Sequence, residues 1–199
     1  MSKANRSRTS RGLAAISLIA GAIALLAQCR SSGKSARSST GGAAAWETVY
    51  EVLQHPRCLN CHPAGDSPLQ GDERAAHAQN VRRGPEGHGM FAMRCETCHQ
   101  TQNAIGPHLP PGAPNWHLPE PGMKLVFEGR SSGELCRQMK DPKQNGHKTP
   151  EQLYHHFADD ALVGWGWDPG VGRAPVPIPR EELVAAVRAW IDGGCGCPE

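Results

Sequence analysis

The chain has 199 residues, and its 21 Lys and Arg nearly balance its 19 Asp and Glu, for a formal net charge of +2. No basic stripe interleaved with aromatic residues is present, so nucleic acid is excluded as an expected partner. Residues 29–199 contain 25 Leu, Ile, Val and Phe, about 15%. A stable core therefore needs apolar area from another source.

The first 28 residues have the layout of an export signal. Basic residues precede an uncharged run of 16 residues from Gly12 to Ala27, which is short for a membrane-spanning helix. The run ends in Leu25-Leu26-Ala27-Gln28-Cys29, which resembles a bacterial lipobox except at Gln28. We expect a periplasmic protein, and lipidation of Cys29 with attachment to the membrane, ordinary cleavage and an uncleaved anchor all stay open.

Residues 29–45 are rich in Ser, Gly and Ala, and predict a flexible tether in front of a domain over 46–199. Without residues 1–28, which hold four basic and no acidic residues, the net charge is −2. The domain opens with a predicted helix that ends near His55-Pro56. Its apolar residues have the spacing i, i+3, i+4 and i+7: Trp46, Val49, Tyr50 and Leu53.

Two C-x-x-C-H motifs follow, Cys58–His62 and Cys95–His99. This spacing is typical of c-type haem attachment, because two thiols on one turn can each bond a vinyl group of the same porphyrin. The histidine then lies under the ring and binds the iron. The motifs predict two covalently bound haems c, attached through Cys58, Cys61, Cys95 and Cys98, with His62 and His99 as the proximal ligands.

Paired C-x-x-C motifs also occur in zinc sites and redox-active disulfides. A gap of 33 residues separates Cys61 from Cys95, longer than the ~15–20 residues usual between the pairs of a zinc site. No βαβ pattern surrounds either motif, as a thioredoxin-like protein would require. Haem is therefore the favoured interpretation, and zinc and disulfides are the alternatives.

Turn-forming residues dominate the segments 63–94 and 106–122, which we expect to be loops that pack on haem. Ser131 and Glu134 form the pattern of a capping box at the start of a helix, and Thr149 with Gln152 forms another. A last helix is predicted from Arg180 to Ile191. The expected fold is mainly α with extensive irregular loops, cytochrome c-like, with the haems as part of the core.

Three further cysteines remain: Cys136, Cys195 and Cys197. In an oxidising compartment we expect one disulfide, from Cys136 to one of the C-terminal pair, with one cysteine left unpaired.

The ligand on the far side of each iron decides the function, since a closed iron suits electron transfer and an open one binds small molecules. His156 ranks first because it lies on a predicted helix with apolar neighbours. His77 follows, between the motifs, and then His117, flanked by Trp116 and Leu118. Direct ligation by Met90 or Met93 of the haem that follows them is sterically awkward. We expect three tryptophans to pack on haem or in the core rather than to relay electrons: Trp116, Trp165 and Trp167.

Several stretches resemble small bacterial proteins labelled as a subunit of isoquinoline 1-oxidoreductase: 58–63, 69–72, 98–100, 112–119, 140–142 and 162–167. The resemblance covers most of residues 46–198. It implies a partner for a molybdenum hydroxylase, which passes substrate electrons to a cytochrome. The chain itself has nothing that could hold a molybdopterin, so the resemblance implies an electron-transfer role.

Three functions are consistent with two covalent haems. The first is a periplasmic dihaem cytochrome that carries electrons between a dehydrogenase or hydroxylase and a respiratory partner, with the chemistry supplied by the cofactor. The second is a peroxidase-like haem enzyme, for which the chain is short and no distal Arg/His pair is evident. The third is a haem-based sensor with one open iron. The first is favoured, which makes the chain more an electron-transfer protein than an enzyme.

Overall fold

A computed structural model describes residues 37–199 of the chain, with side chains from residue 41 onward. The helices of this part are α1 (Arg37–Leu53), α2 (Pro56–Leu59), α3 (Ser132–Lys140), α4 (Pro150–Asp159), α5 (Ala161–Gly164) and α6 (Arg180–Asp192). Single 3-10 turns occur at Ala78–Asn80, Cys95–Thr97, Pro121–Met123 and Trp165–Trp167. The predominance of helix and irregular loops over sheet in these residues agrees with the predicted fold class, and its cytochrome c-like character stays a prediction.

Two short antiparallel pairs are the strands of the described part, and the sequence did not predict them. β1 (Leu69–Gln70) pairs with β2 (Ala75–Ala76), and β3 (Gly89–Met90) pairs with β4 (Met93–Arg94). Two-residue strands carry no alternating pattern, so a prediction from periodicity misses them. Both lie in the first predicted loop, 63–94, and the second pair leads directly into the second motif.

The core forms where α1 packs between α6 and α3, with α4 on the other side of α6. The indole rings of Trp46 and Trp190 meet across this interface with their centroids 5.0 Å apart. Val49, Leu183 and Val187 are fully buried around them. The apolar residues predicted on the first helix are therefore buried against apolar residues of the last helix.

The prediction of a flexible tether is wrong for residues 37–45, which form the first turns of α1. The start of the helix lies against the end of α6, so close that a Cβ added to Gly193 would be 2.7 Å from the Cα of Gly42. Tertiary packing of this kind stabilises helical turns that composition alone does not predict. The predicted signal, Cys29 and the rest of the tether lie outside the described residues.

Both capping boxes are confirmed. The Ser131 hydroxyl accepts a hydrogen bond from the backbone of Glu134, whose carboxylate accepts one from the Ser131 backbone N–H at 2.9 Å. Thr149 and Gln152 form the same reciprocal pair at the start of α4. The helix predicted over Arg180–Ile191 ends one residue later, at Asp192.

A disulfide joins Cys136 in α3 to Cys197, which confirms the predicted link to the C-terminal pair. Cys195 is disulfide-bonded as well, so the prediction that one cysteine remains unpaired is wrong for these residues.

No helix within residues 37–199 has both the length and the apolar character needed to cross a membrane.

Candidate functional site

The first motif begins in α2, a single turn that starts with Pro56 and is capped by the ring of His55. The turn continues past the helix, because the backbone N–H of Cys61 and of His62 both bond the carbonyl of Cys58. Cys58, Cys61 and His62 consequently line one wall of the same cavity. The local chain thus presents two thiols and an imidazole together, as the spacing predicts.

This cavity has a volume of about 410 Å³, within the range of small-molecule and cofactor sites. Its walls are mainly apolar and come from α1, α3, α4 and the loop at 119–127, with contributions from Leu53, Leu125, Phe127, Met139, Leu153 and Phe157. A porphyrin needs this kind of apolar enclosure, so the walls fit the group that the motif implies.

His62 is held in one orientation by two contacts. Its Nδ1 lies 2.8 Å from the carbonyl oxygen of Leu125, and its ring stacks on Phe127 at 3.8 Å between centroids. Burial lowers the pKa of His62 to about 3, which keeps the imidazole neutral. Because the carbonyl accepts a hydrogen bond from Nδ1, the ring is protonated at Nδ1 and the lone pair of Nε2 is available. A histidine that binds a metal through Nε2 requires this tautomer.

The thiols of the first motif are free and protonated. Burial raises the pKa of Cys58 to about 12 and that of Cys61 to about 11. Cys95 and Cys98 are also free thiols, which disagrees with the alternative of disulfides within the motifs. Residues 37–199 contain no group of three or more His, Cys, Asp or Glu side chains that could hold a metal ion.

The second motif repeats the arrangement of the first. Cys95 opens a 3-10 turn, and the N–H of His99 bonds the carbonyl of Cys95 at 2.9 Å. The Nδ1 of His99 lies 2.8 Å from the carbonyl oxygen of Pro111, and its ring stacks on Trp116 at 4.5 Å and 4°. Burial lowers the pKa of His99 too, so this imidazole also offers a free Nε2.

The second motif is more open than the first. Cys98 is exposed, whereas Cys95 is half-buried, as Cys58 and Cys61 are. The exposed large apolar side chains of the described part all lie in the segments that flank this motif or bond to them: Met90, Phe91, Met93, Ile105, Leu109 and Val171. A porphyrin bound to Cys95 and Cys98 would have apolar surface to lie against, on the outside of the molecule.

His156 and His117 both line the cavity of the first motif, together with His62. The Nδ1 of His156 lies 3.1 Å from a carboxylate oxygen of Asp160, and the Nδ1 of His117 lies 2.6 Å from the carbonyl oxygen of Asn115. Each ring therefore keeps Nε2 for another partner. The structure brings the first and third candidates for a distal ligand to the same site.

His77 lies at the second site instead. Its ring centroid is 6.0 Å from that of His99, and its Nδ1 is 2.8 Å from the carbonyl oxygen of Ala78. Two imidazoles that share one metal ion, with bonds of ~2 Å, have centroids roughly 6 Å apart. The separation of His77 and His99 thus suits a pair of ligands on one iron.

Two buried arginines near the first motif were not identified as candidate site residues from the sequence. Arg57, next to Cys58, lines the first cavity, and its Nε has no hydrogen-bond partner. Arg83 is equally buried and bonds the carbonyls of Gly65 and Pro119. The position of Arg57 next to Cys58 could have identified it from the sequence. No local sequence feature distinguishes Arg83 from the other arginines.

Two of the tryptophans that were expected to pack on haem or in the core lie at the two sites. Trp165 lines the first cavity, and Trp116 stacks on His99. Their rings meet edge to face at 5.0 Å, so they connect the two sites.

The chain has no significant match to any protein-family model, curated protein or solved structure.

Proposed function

We propose that this protein is a dihaem c-type cytochrome that carries electrons one at a time. Cys58 and Cys61 would hold one haem, and Cys95 and Cys98 the other, with His62 and His99 as proximal ligands. The observation that carries the proposal is the repeated arrangement of these histidines. Each follows a pair of free thiols, bonds a backbone carbonyl through Nδ1 and stacks on an aromatic ring.

Axial ligation by two histidines suits a carrier, because it leaves no open position on the iron. His156 is the proposed second ligand at the first site, with His117 as the other candidate in the same cavity. His77 is the proposed second ligand at the second site, on the ring separation given above. The haem iron supplies reversible one-electron chemistry, and the chain fixes the ligands and controls the access of water.

The unequal exposure of the two sites supports a carrier that exchanges electrons with other proteins. The second motif reaches the surface at the exposed Cys98 among exposed apolar side chains, whereas the half-buried thiols of the first motif line a cavity. We propose that partners dock near the second site. On the resemblance given above, one such partner is a molybdenum hydroxylase, and the other is a respiratory protein of the periplasm.

The test is a spectrum of the protein matured in cells with a cytochrome c assembly system. We expect covalent haem that survives denaturing gel electrophoresis, at two per chain. Optical and EPR spectra should report two low-spin irons that do not bind carbon monoxide. The control variant, with Cys58 and Cys61 changed to serine, should lose one of the two haems. A wild-type protein without covalent haem would overturn the proposal, and one high-spin haem that binds carbon monoxide would favour an enzyme or a sensor.

A further inference from the structure

The two haem sites differ most in the charge around them. Arg57 has only 1% of its side chain exposed, although it carries a full positive charge beside the first motif. Its terminal nitrogen bonds the carbonyl of Gly71 at 3.1 Å and pairs with Asp72. The Nε has no partner, and the side chain lines the cavity. This guanidinium is therefore directed in part to whatever the cavity holds.

Arg83 approaches the same site from the loop between the motifs. Its side chain is also 1% exposed, and its Nε is buried without a hydrogen bond, 3.7 Å from Asp66. Its guanidinium donates hydrogen bonds to the carbonyl of Gly65 and to that of Pro119, which lines the cavity of the first motif. Two cations are thus held close to the thiols and the imidazole of the first motif.

The acidic partners of these arginines do not cancel the charges fully. Asp72 is 43% exposed and Asp66 is 55% exposed, and Asp66 also pairs with Lys124. Water and salt screen an exposed carboxylate more strongly than a buried guanidinium. A net positive potential therefore remains at the first site.

In the described part, the second site has no cation as deeply buried as these two: Arg173, whose charge acts on His99, is half-buried. Arg94, next to Cys95, is 38% exposed and pairs with Glu96 at 3.6 Å. The two charges oppose each other in their effect on the Cys95 thiol. Cys98 is exposed, so water reaches this motif and screens the charges further.

A positive charge in a low-dielectric site favours the form of the iron that carries one more electron. Burial acts in the same direction, because it disfavours the more highly charged oxidised form. Both effects are stronger at the first motif, where the two arginines are buried, than at the second, where Cys98 is exposed. They raise the reduction potential of one centre relative to the other without any difference in axial ligands.

We propose that Arg57 and Arg83 make the first haem the centre of higher reduction potential, so that a single electron on the protein resides there at equilibrium. This inference rests on the proposed function. When the protein holds a single electron, that electron would reside on the iron of the first site, and the iron of the second site would be oxidised. Transfer between the two irons needs no other reactant. The two arginines are positioning residues, since they act through the electrostatic potential at the cofactor.

A redox titration of the matured full-length protein, followed by optical and EPR spectra, tests the inference. A variant with Cys95 and Cys98 changed to serine holds only the first haem and assigns its midpoint. We expect that midpoint to be the higher of the two. In Arg57→Gln and Arg83→Gln, the ratio of reduced to oxidised first haem at a fixed potential should fall at least tenfold, which is ~59 mV for one electron.

Two controls separate charge from packing. Arg82→Gln removes an exposed charge adjacent in sequence to Arg83 and should leave both midpoints unchanged. Arg57→Lys keeps the charge and should retain most of the potential, even if Arg57→Gln does not fold. Equal midpoints, a higher midpoint for the second haem, or a glutamine variant with unshifted potentials would overturn the inference while leaving the dihaem assignment intact. Failure to attach haem would instead overturn the proposed function.

Discussion

The imidazole rings of His77 and His99 lie 6.0 Å apart between centroids, and each binds a backbone carbonyl through Nδ1. This relationship predicts that both rings ligate the second haem. His77→Ala should convert that haem to high spin and allow it to bind carbon monoxide, because one axial position becomes open. EPR and the optical spectrum with carbon monoxide measure the change.

The control for this variant is His108→Asn, at an exposed histidine in the loop after the second motif. Asparagine tolerates the positive φ of 57° at this position. Its spectrum should match that of the wild type. A low-spin His77→Ala protein would remove His77 from the ligands.

The same reasoning applies to His156 at the first site. His156→Ala should make the first haem high-spin, because the ring shares a cavity with His62. The neighbouring His155 is exposed and bonds Asp159 at 2.7 Å, so His155→Ala is a matched control on the same helix. If His156→Ala stays low-spin, the ligand at this site is another residue, and His117→Ala becomes the variant to test.

Local signals predicted the local structure at the motifs and at the helix starts. The capping boxes and the C-x-x-C-H turns each depend on residues within five positions of one another, so the sequence contains the whole of their chemistry. His156 ranked first because its apolar neighbours on the helix indicated a cavity wall, which the structure contains. The Cys136–Cys197 link followed from the small number of cysteines left over.

Features that depend on distant segments were not predictable in the same way. Arginine is mostly exposed in proteins, and the burial of Arg83 depends on carbonyls at Gly65 and Pro119. The start of α1 depends on the end of α6, far along the chain. No periodicity in the Ser-, Gly- and Ala-rich segment reports a contact of that kind.

The contact between Gly42 and Gly193 predicts opposite effects for two kinds of Gly→Ala substitution. A methyl group on Gly193 would collide with the backbone of Gly42, although its φ of −76° suits alanine. Gly193→Ala should therefore lower the free energy of unfolding by about 1–3 kcal/mol, as overpacking does. Gly41 has open space around it, so Gly41→Ala should raise stability by roughly 0.5–1 kcal/mol. Urea unfolding of both variants checks the pair. Equal effects would contradict the close approach of the two helices.

The capping box of α3 predicts a dependence of stability on pH. Hydrogen bonds from the backbone and hydroxyl of Ser131 lower the pKa of Glu134 below its ordinary value of 4.5. A carboxyl with a lowered pKa contributes stability that is complete above about pH 4.5 and is lost as pH falls through the folded-state pKa.

Glu134→Gln should therefore be less stable than the wild type at pH 7, and the difference should shrink below pH 4.5. Unfolding by urea at a series of pH values measures it. Glu51→Gln, at an exposed glutamate of α1, is the control and should not reproduce the pattern. A difference that stays constant with pH would show that the carboxylate charge is not involved.

The disulfide between Cys136 and Cys197 closes a loop with a sequence separation of 61 residues. A cross-link that closes a loop of this length lowers the conformational entropy of the unfolded chain. We expect it to raise the free energy of unfolding by about 4 kcal/mol. Cys136→Ala should lose a large part of this free energy of unfolding, and the thiol of Cys197 is then left without its partner. The double variant Cys136→Ala with Cys197→Ser should be no less stable than the single one, since either change breaks the same bond. Two losses that add would contradict a contribution from the disulfide itself. The spectrum of the first haem should be unchanged, because neither cysteine lines the cavity of the first motif.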